Sequence, residues 1–208
     1  TLTDISSEMV KIAQARMSER FGDGLADQAV TIERADAQSL PYPDGRFDRV
    51  FSCLNLMLVP DHAAVIQESA RVLRPGGRAV WVVWGRPAHS HMMQLTPRAL
   101  AEVGIATPPP PRSNFHLGGL DTLKDQLRDA GFDVTRRWYQ PMVTDIESGE
   151  AFTEMTLQLR PELTETLETE ERITRFKETL TRLSDEVLAR GEGIGLDALI
   201  VVARRSMT

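Results

Sequence analysis

The sequence predicts an α/β fold built on a mainly parallel sheet, and three observations carry that prediction. Strand-like and helix-like patterns alternate from the first residues onward. The strand candidates are short apolar runs such as VFSCL and AVWVVW, separated by amphipathic stretches of helix length. Turn signals, PYPDG and RPGG among them, stand at the junctions. Strand, helix, strand, helix at this spacing implies right-handed crossovers between parallel strands.

Each element follows in order. Behind the lone acid Asp4, Ser6 can cap a helix from about Ser7 to Arg20, with Met9, Ile12, Ala13, Met17 and Phe21 near one face. Gly22 and Gly24 end it. Residues 30–33 read as a short strand, and Pro41, Pro43, Asp44 and Gly45 as a turn. Phe47 to Leu54 is expected to be a strand buried on both faces. Pro60 suits a first helical turn, and Val65, Ile66, Ser69, Ala70, Val72 and Leu73 give the next helix its apolar side. Pro75-Gly76-Gly77 stops it, and Ala79 to Trp84 is the clearest strand of all. Residues 88–104 are predicted helical, and Pro108 to Pro111 form a stiff polyproline segment, most simply a spacer. A helix from Leu120 to Ala130 ends at Gly131, Val134 to Tyr139 is a strand, and 149–160 is helical. From Leu163 to Arg190, Ile173, Phe176, Leu180, Leu183 and Val187 form one apolar stripe, with the charges on a solvated face. Leu196 to Ala203 is a closing apolar strand.

Composition narrows the function. Hydrophobic residues make up 41% of the 208, enough for a sizeable core, and the net charge of -6 argues against a nucleic-acid partner. Cys53 is the only cysteine, so a disulfide framework or Cys-rich zinc site within one chain is excluded, and a reducing, cytoplasmic setting is expected. No apolar run approaches the ~18 residues of a membrane span, so no integral membrane segment is expected.

In open parallel sheets, ligands bind beyond the carboxyl ends of the strands. The residues there are Asp4, then Asp36-Ala37, then Ser52-Cys53-Leu54. A carboxylate so placed can accept both hydroxyl protons of a ribose, at ~1.5–3 kcal/mol per charge-assisted bond. An Asp followed by Ala can accept from an exocyclic amine while the next backbone N–H donates to a ring nitrogen, which is adenine recognition. Taken singly, Asp4 also reads as a helix cap and Asp36 as a turn former.

The string ADAQSLPYPDGRFDRVFSCLNLMLVPD, followed by RVLRPGGRAVWVVWG, resembles the class I S-adenosylmethionine-dependent methyltransferases, in particular the small-molecule branch of ubiquinone and menaquinone biosynthesis. DISSEMVKIA is similar to that family's second-strand motif. The resemblance runs from Asp4 to about Gly85, continues more weakly through NFHLGGLDTLKDQLRDAGFDV, and includes the last strand, ALIVVARR. It implies a Rossmann-like methyltransferase sheet with an antiparallel last strand. It also implies one domain over 1–208, with helical cap insertions at about 88–112 and 140–195. By the same resemblance Asp4 holds the ribose hydroxyls and Ile5 packs on the adenine face. Asp36 meets the adenine amine, the Ala37 amide meets the ring, and Cys53 lies near the methionine arm, although a small buried apolar role fits Cys53 equally. Asp48 is a family feature with a structural role.

The family's glycine-rich loop, which follows its first strand and receives the methionyl part of S-adenosylmethionine, has no match here. Gly22-Asp23-Gly24, Gly76-Gly77 and Gly191, Gly193 and Gly195 all read as turns. The expectation is therefore that the first, central strand is missing from this chain and that the natural polypeptide is longer. Its absence should leave unpaired backbone on the two flanking strands and a gap of roughly 9–10 Å, or else let the sheet rearrange. If that segment is absent from the molecule, little or no cofactor binding by this chain is expected.

Small-molecule methyl transfer is the leading function, to an apolar or aromatic acceptor. An inactive methyltransferase-fold binding or scaffold protein is the first rival, and a nucleotide-binding oxidoreductase the second. His62, His89, His91 and His116 are the candidates for a base, and none is assigned. No metal is expected, a homodimer is left open, and Trp81, Trp84 and Trp138 are read as either an aromatic pocket or core.

Overall fold

A computed structural model of the chain describes residues 1–22, 30–106, 108 and 110–207. Asp23, Gly24 and Pro109, which enter the expected helix stop and polyproline segment, lie outside them. The chain divides into two compact units. The first comprises Thr1–Trp81, Lys124–Arg136 and Val202–Thr208, the second Val82–Leu123 and Arg137–Val201.

In the first unit, strand β1 (Leu2–Asp4) leads into helix α1 (Ser7–Phe21). Ser6 caps α1 as its side chain accepts the Met9 N–H, and Gly22 at φ 56° closes it in the backbone region glycine tolerates best. Strand β2 (Ile32–Arg34) pairs with β1 in parallel, Leu2 opposite Ile32 and Asp4 opposite Arg34. Strand β3 (Phe47–Cys53) precedes helix α2 (His62–Val72), whose cap is Asp61, with Pro60 just ahead of it. The apolar side of α2 is the expected one: Val65, Ile66, Ser69, Ala70, Val72 and the following Leu73 are all buried. Strand β4 (Leu73–Trp84) starts directly from that helix. Helix α4 (Lys124–Asp129) and strand β5 (Phe132–Val143) follow later in the chain, and strand β6 (Gly195–Arg205) is the last element.

Among the described residues the strands form two sheets, β1-β2 and β3-β4-β6-β5. Strand β6 is antiparallel to both neighbours. Ser206 N donates to Gly131 O while Thr144 N donates to Ile194 O, so β5 and β6 run in opposite order. On the other side, Gly85 N donates to Asp197 O while the Arg204 side chain reaches Gly76 O. Among the described residues β1 and β3 belong to different sheets and do not pair. Strand β3 corrects an expectation: it is not buried on both faces, and Phe51 is 68% exposed. Among the described residues it is the edge strand of its sheet, with β4 as its partner on one side. Trp81, by contrast, is fully buried edge-on against Phe132, with ring centroids 5.0 Å apart, so it belongs to the core rather than to an open aromatic pocket.

The second unit is mainly helical. A 3-10 turn (Pro87–His89) leads to α3 (His91–Glu102), and α5 (Gly149–Leu159), α6 (Glu162–Leu167) and α7 (Glu170–Ala189) come later. The predicted stripe is real. Phe176, Leu180, Leu183 and Val187 are buried against Leu95, Ala99, Leu100, Phe152 and Leu163, each contributing about 1.5–3 kcal/mol when a large apolar side chain is fully covered. The stretch is two helices, however. Glu168 sits at φ 64°, and Thr169 caps α7 by accepting the Arg172 N–H, a stop-and-restart the apolar stripe does not register. The helix expected from Leu120 is shorter, because a turn closed by Thr122 N to Gly119 O occupies its start.

Candidate functional site

Strand β1 delivers Asp4 to the start of α1, where its Oδ1 accepts the Ser6 N–H at 2.8 Å. The opening turn of α1 is rich in such bonds, and Glu8 is held below the usual carboxylate range by the backbone N–H and the Ser6 and Ser7 hydroxyls there. The Arg34 Nε donates to Ile5 O at 2.8 Å, which fixes the backbone of Ile5 while leaving that residue 57% exposed.

One strand over, Asp36 follows β2. Its Oδ1 accepts the Gln38 backbone N–H at 2.9 Å and the Gln38 Nε2 at 3.2 Å. The Gln38 Oε1 in turn accepts the Asp61 N–H at 3.0 Å, at the cap of α2. Behind this stretch the PYPDG turn is clamped. Arg71 donates to Leu40 O, Tyr42 O, the Asp44 carboxylate and the Glu68 carboxylate, at 2.6–2.9 Å. Those contacts hold Glu68 below the usual carboxylate range, Arg71 first among the causes. Tyr42 donates to Glu33 Oε1 at 2.6 Å, and burial together with that carboxylate pushes its phenol up to about 12.

Asp4, Ile5, Asp36, Ala37 and Cys53 all line one groove of about 480 Å³, with Gln38, Phe51 and Asn55. Cys53 is exposed rather than a buried apolar residue, and Leu54 after it turns through φ 53°. Asp48 makes an exposed ion pair with Arg74 at 2.5 Å.

An adenosine fits these residues on three counts. Among the described residues, Asp4 Oδ2 and the Ala37 N–H take part in no hydrogen bond, so one acceptor and one donor on the groove are unspent. Asp36 keeps lone pairs on Oδ2, whose one contact is 3.4 Å from Gln38 Nε2. The apolar Ile5 stands beside the acids, as a base-stacking face requires.

Two of the histidines, His91 and His116, make side-chain hydrogen bonds. His91 Nε2 lies 2.8 Å from Glu192 Oε2, and Glu192 is held below the usual carboxylate range by Arg190 and then by His91. His116 Nδ1 lies 2.7 Å from Ser113 O, His89 is exposed in the 3-10 turn, and His62 opens α2. Among the described residues no group of three His, Cys, Asp or Glu side chains could hold a metal ion. No helix there is long and apolar enough to cross a membrane.

Sequence reasoning missed Gln38, Arg71 and the Arg86–Asp197 pair. Asp197 is fully buried in β6, and its carboxylate accepts the Arg86 N–H, Nε and Nη2 at 2.9–3.1 Å. The signal was available: an acid inside the apolar run GLDALIVV must have a cationic or hydrogen-bonding partner. Gln38 carried no comparable signal, since a glutamine in a loop is ordinary.

A parallel β1–β2 pair and an antiparallel last strand accord with a Rossmann-like α/β fold, and a solved structure assigned as a methyltransferase shares it. More narrowly, residues 1–81 match the family model described as a methyltransferase domain, in keeping with the resemblance to methyltransferases. The ubiquinone/menaquinone biosynthesis C-methyltransferase UbiE of Shewanella halifaxensis is 29% identical over 144 residues, 64% of this chain and 56% of that protein. The chain thus spans a little over half the length of the curated relatives it matches. Among solved structures, the [4+2]-cyclase SpnF aligns with 99% of this chain and 66% of its own at TM-score 0.56 and 20% identity. A Bacillus halodurans C-125 protein assigned as a methyltransferase aligns with 98% and 81% at TM-score 0.56 and 15% identity. These two likenesses show the fold alone, and SpnF's cyclase chemistry is a reminder that a fold does not dictate a reaction.

Proposed function

We propose that the protein transfers a methyl group from S-adenosylmethionine to a small apolar or aromatic molecule. The observation that carries this reading is the convergence of Asp4 and Asp36, from paired parallel strands, on a single groove. Asp4 holds the ribose hydroxyls, Ile5 covers one adenine face, Asp36 accepts from the adenine amine, and the Ala37 N–H donates to the ring. Cys53, exposed at the end of β3, borders the methionine arm. The bound cofactor supplies an electrophilic methyl group on a sulfonium. The chain's own task is to align the acceptor with it and to exclude water. No base is assigned. An acidic acceptor such as a phenol, or an activated carbon as the name of the UbiE relatives suggests, makes small demands on one. The helical segments within 88–112 and 140–195 are the part that selects the substrate, in a single methyltransferase-like domain, and the lone exposed thiol suits a reducing, cytoplasmic setting.

Titration calorimetry of the full-length protein with S-adenosylhomocysteine tests the reading. Saturable heat that Asp4→Asn weakens is expected, followed by label transfer from methyl-labelled cofactor into phenolic or quinone-like acceptors. No heat at millimolar ligand overturns it. Binding without turnover across such acceptors would favour the inactive scaffold instead.

A further inference from the structure

Resting on the adenosine reading of this groove, we infer that Gln38 is the positioning residue that gives Asp36 its preference for a 6-aminopurine. The orientation of its amide is fixed by its two neighbours. A carboxylate can only accept and a backbone N–H can only donate, so Nε2 must face Asp36 and Oε1 must face Asp61 N. Gln38 therefore spans from the acid to the cap of α2, 23 residues away in sequence.

The consequence lies in which oxygen is left over. Asp36 Oδ1 is occupied twice, by the backbone N–H at 2.9 Å and by Nε2 at 3.2 Å. Oδ2 has one long contact at 3.4 Å. Two donors on one oxygen lock the carboxylate plane and leave the second oxygen as the acceptor for a ligand. A carboxylate held only by its Asx-turn bond could rotate and offer either oxygen, at an angle a planar amine meets poorly. Gln38 also lines the groove itself, so its amide plane limits where the purine edge can lie. Anchorage to Asp61 N makes that limit rigid, because the cap of α2 is itself fixed by the Asp61 carboxylate accepting the Ala64 N–H at 3.0 Å.

The test compares two ligands that differ only at the purine 6-position: S-adenosylhomocysteine and its counterpart with hydrogen in place of the 6-amino group. Both are titrated into full-length wild-type protein, Gln38→Ala and Gln38→Glu. The wild type should prefer the amino ligand by roughly tenfold, the value of one hydrogen bond to a charged acceptor. Gln38→Ala should bring that ratio close to one, because it weakens the amino ligand more than the 6-hydrogen ligand. Gln38→Glu keeps an acceptor for Asp61 N but has no donor for Asp36, so it should lose the preference too, at any pH where both carboxyls are ionised. A merely structural role would weaken both ligands alike and leave their ratio unchanged, and that outcome overturns the inference. If either variant retains the full preference, the inference also fails, although the adenosine reading survives. If the wild type binds neither ligand, the adenosine reading falls and takes the inference with it.

Discussion

Asp197 Oδ2 accepts both the backbone N–H and the Nε of Arg86, each at 2.9 Å, and so ties the exit of β4 to the interior of β6. The same guanidinium lies 4.2 Å from the centroid of the Tyr139 ring, and Tyr139 donates to Gly118 O at 3.0 Å. Ser90 completes the arrangement, accepting the Asp197 N–H and donating to Arg86 O.

Arg86→Ala strips a fully buried carboxylate of its side-chain partner. Breaking a buried pair costs about 3–5 kcal/mol, and partial exposure of Arg86 puts this case nearer about 2–3 kcal/mol. The pH dependence follows from Asp197. Burial pushes its carboxyl up, but the Arg86 side-chain and backbone bonds outweigh burial and lower it on balance. The folded value lies below the unfolded one, so the contribution is present above the ordinary carboxylate range, about pH 4, and is lost as pH falls through the folded value. Urea unfolding at pH 7 and pH 3 should show the wild-type advantage over Arg86→Ala shrinking at the lower pH. An advantage independent of pH would mean packing on Tyr139, not charge, is what Arg86 contributes.

The contrast between this pair and the groove shows what a sequence exposes. Asp4 and Asp36 were legible because strand ends are predictable and a carboxylate there is either a turn former or a ligand group; Asp4 Oδ1 accepts the Ser6 N–H and the residue also lines the groove. The apolar face of α2 was legible because it follows one period and packs on one side. The exposure of β3 was not, since an apolar run reads the same in a central strand and at an edge, and only pairing decides between them. Gln38 and Arg71 were invisible for a related reason. The contacts that give them their structural role reach 23 to 31 residues away, and nothing local records those.

Asp4→Asn isolates the ribose role from the structural one. The asparagine can present its carbonyl oxygen to the Ser6 N–H, so the start of α1 should survive and the melting temperature should change little. The charge that a ribose diol would meet is gone. Affinity for S-adenosylhomocysteine should fall roughly 10- to 100-fold, as expected for one or two charge-assisted bonds. Equal losses for a ligand without the ribose hydroxyls would show that Asp4 does not contact them.

Tyr42 gives a spectroscopic handle on the clamp behind the groove. Its phenol is pushed up to about 12 by burial and by the Glu33 carboxylate. Because the folded value exceeds the unfolded one of about 10, the contribution of neutral Tyr42 is full below pH 10 and is lost as pH rises toward 12. Ultraviolet titration of phenolate absorbance should show a late transition near 12 that Tyr42→Phe removes. A transition near 10 instead would mean the Tyr42–Glu33 bond does not persist in solution.

Gly149→Ala probes the helical unit without touching any ligand group. Gly149 opens α5, and its N–H donates to Asp185 Oδ1 at 2.7 Å while Ser148 caps the helix by accepting the Ala151 N–H. A Cβ at this position would collide with Thr181 O and the Asp185 carboxylate of α7. A backbone carbonyl cannot swing aside as a long side chain can, so α5 must lift away from α7 along its first turn. Helix propensity pulls the other way, since alanine is favoured over glycine by up to about 1 kcal/mol within a helix. Overpacking at a close contact costs about 1–3 kcal/mol, so the net effect should be destabilising. Thermal unfolding should therefore show a lower midpoint for Gly149→Ala, while Glu150→Ala, one residue on and exposed, should leave the midpoint almost unchanged. A stabilised Gly149→Ala protein would mean that α5 and α7 approach less closely than the hydrogen bond to Asp185 requires.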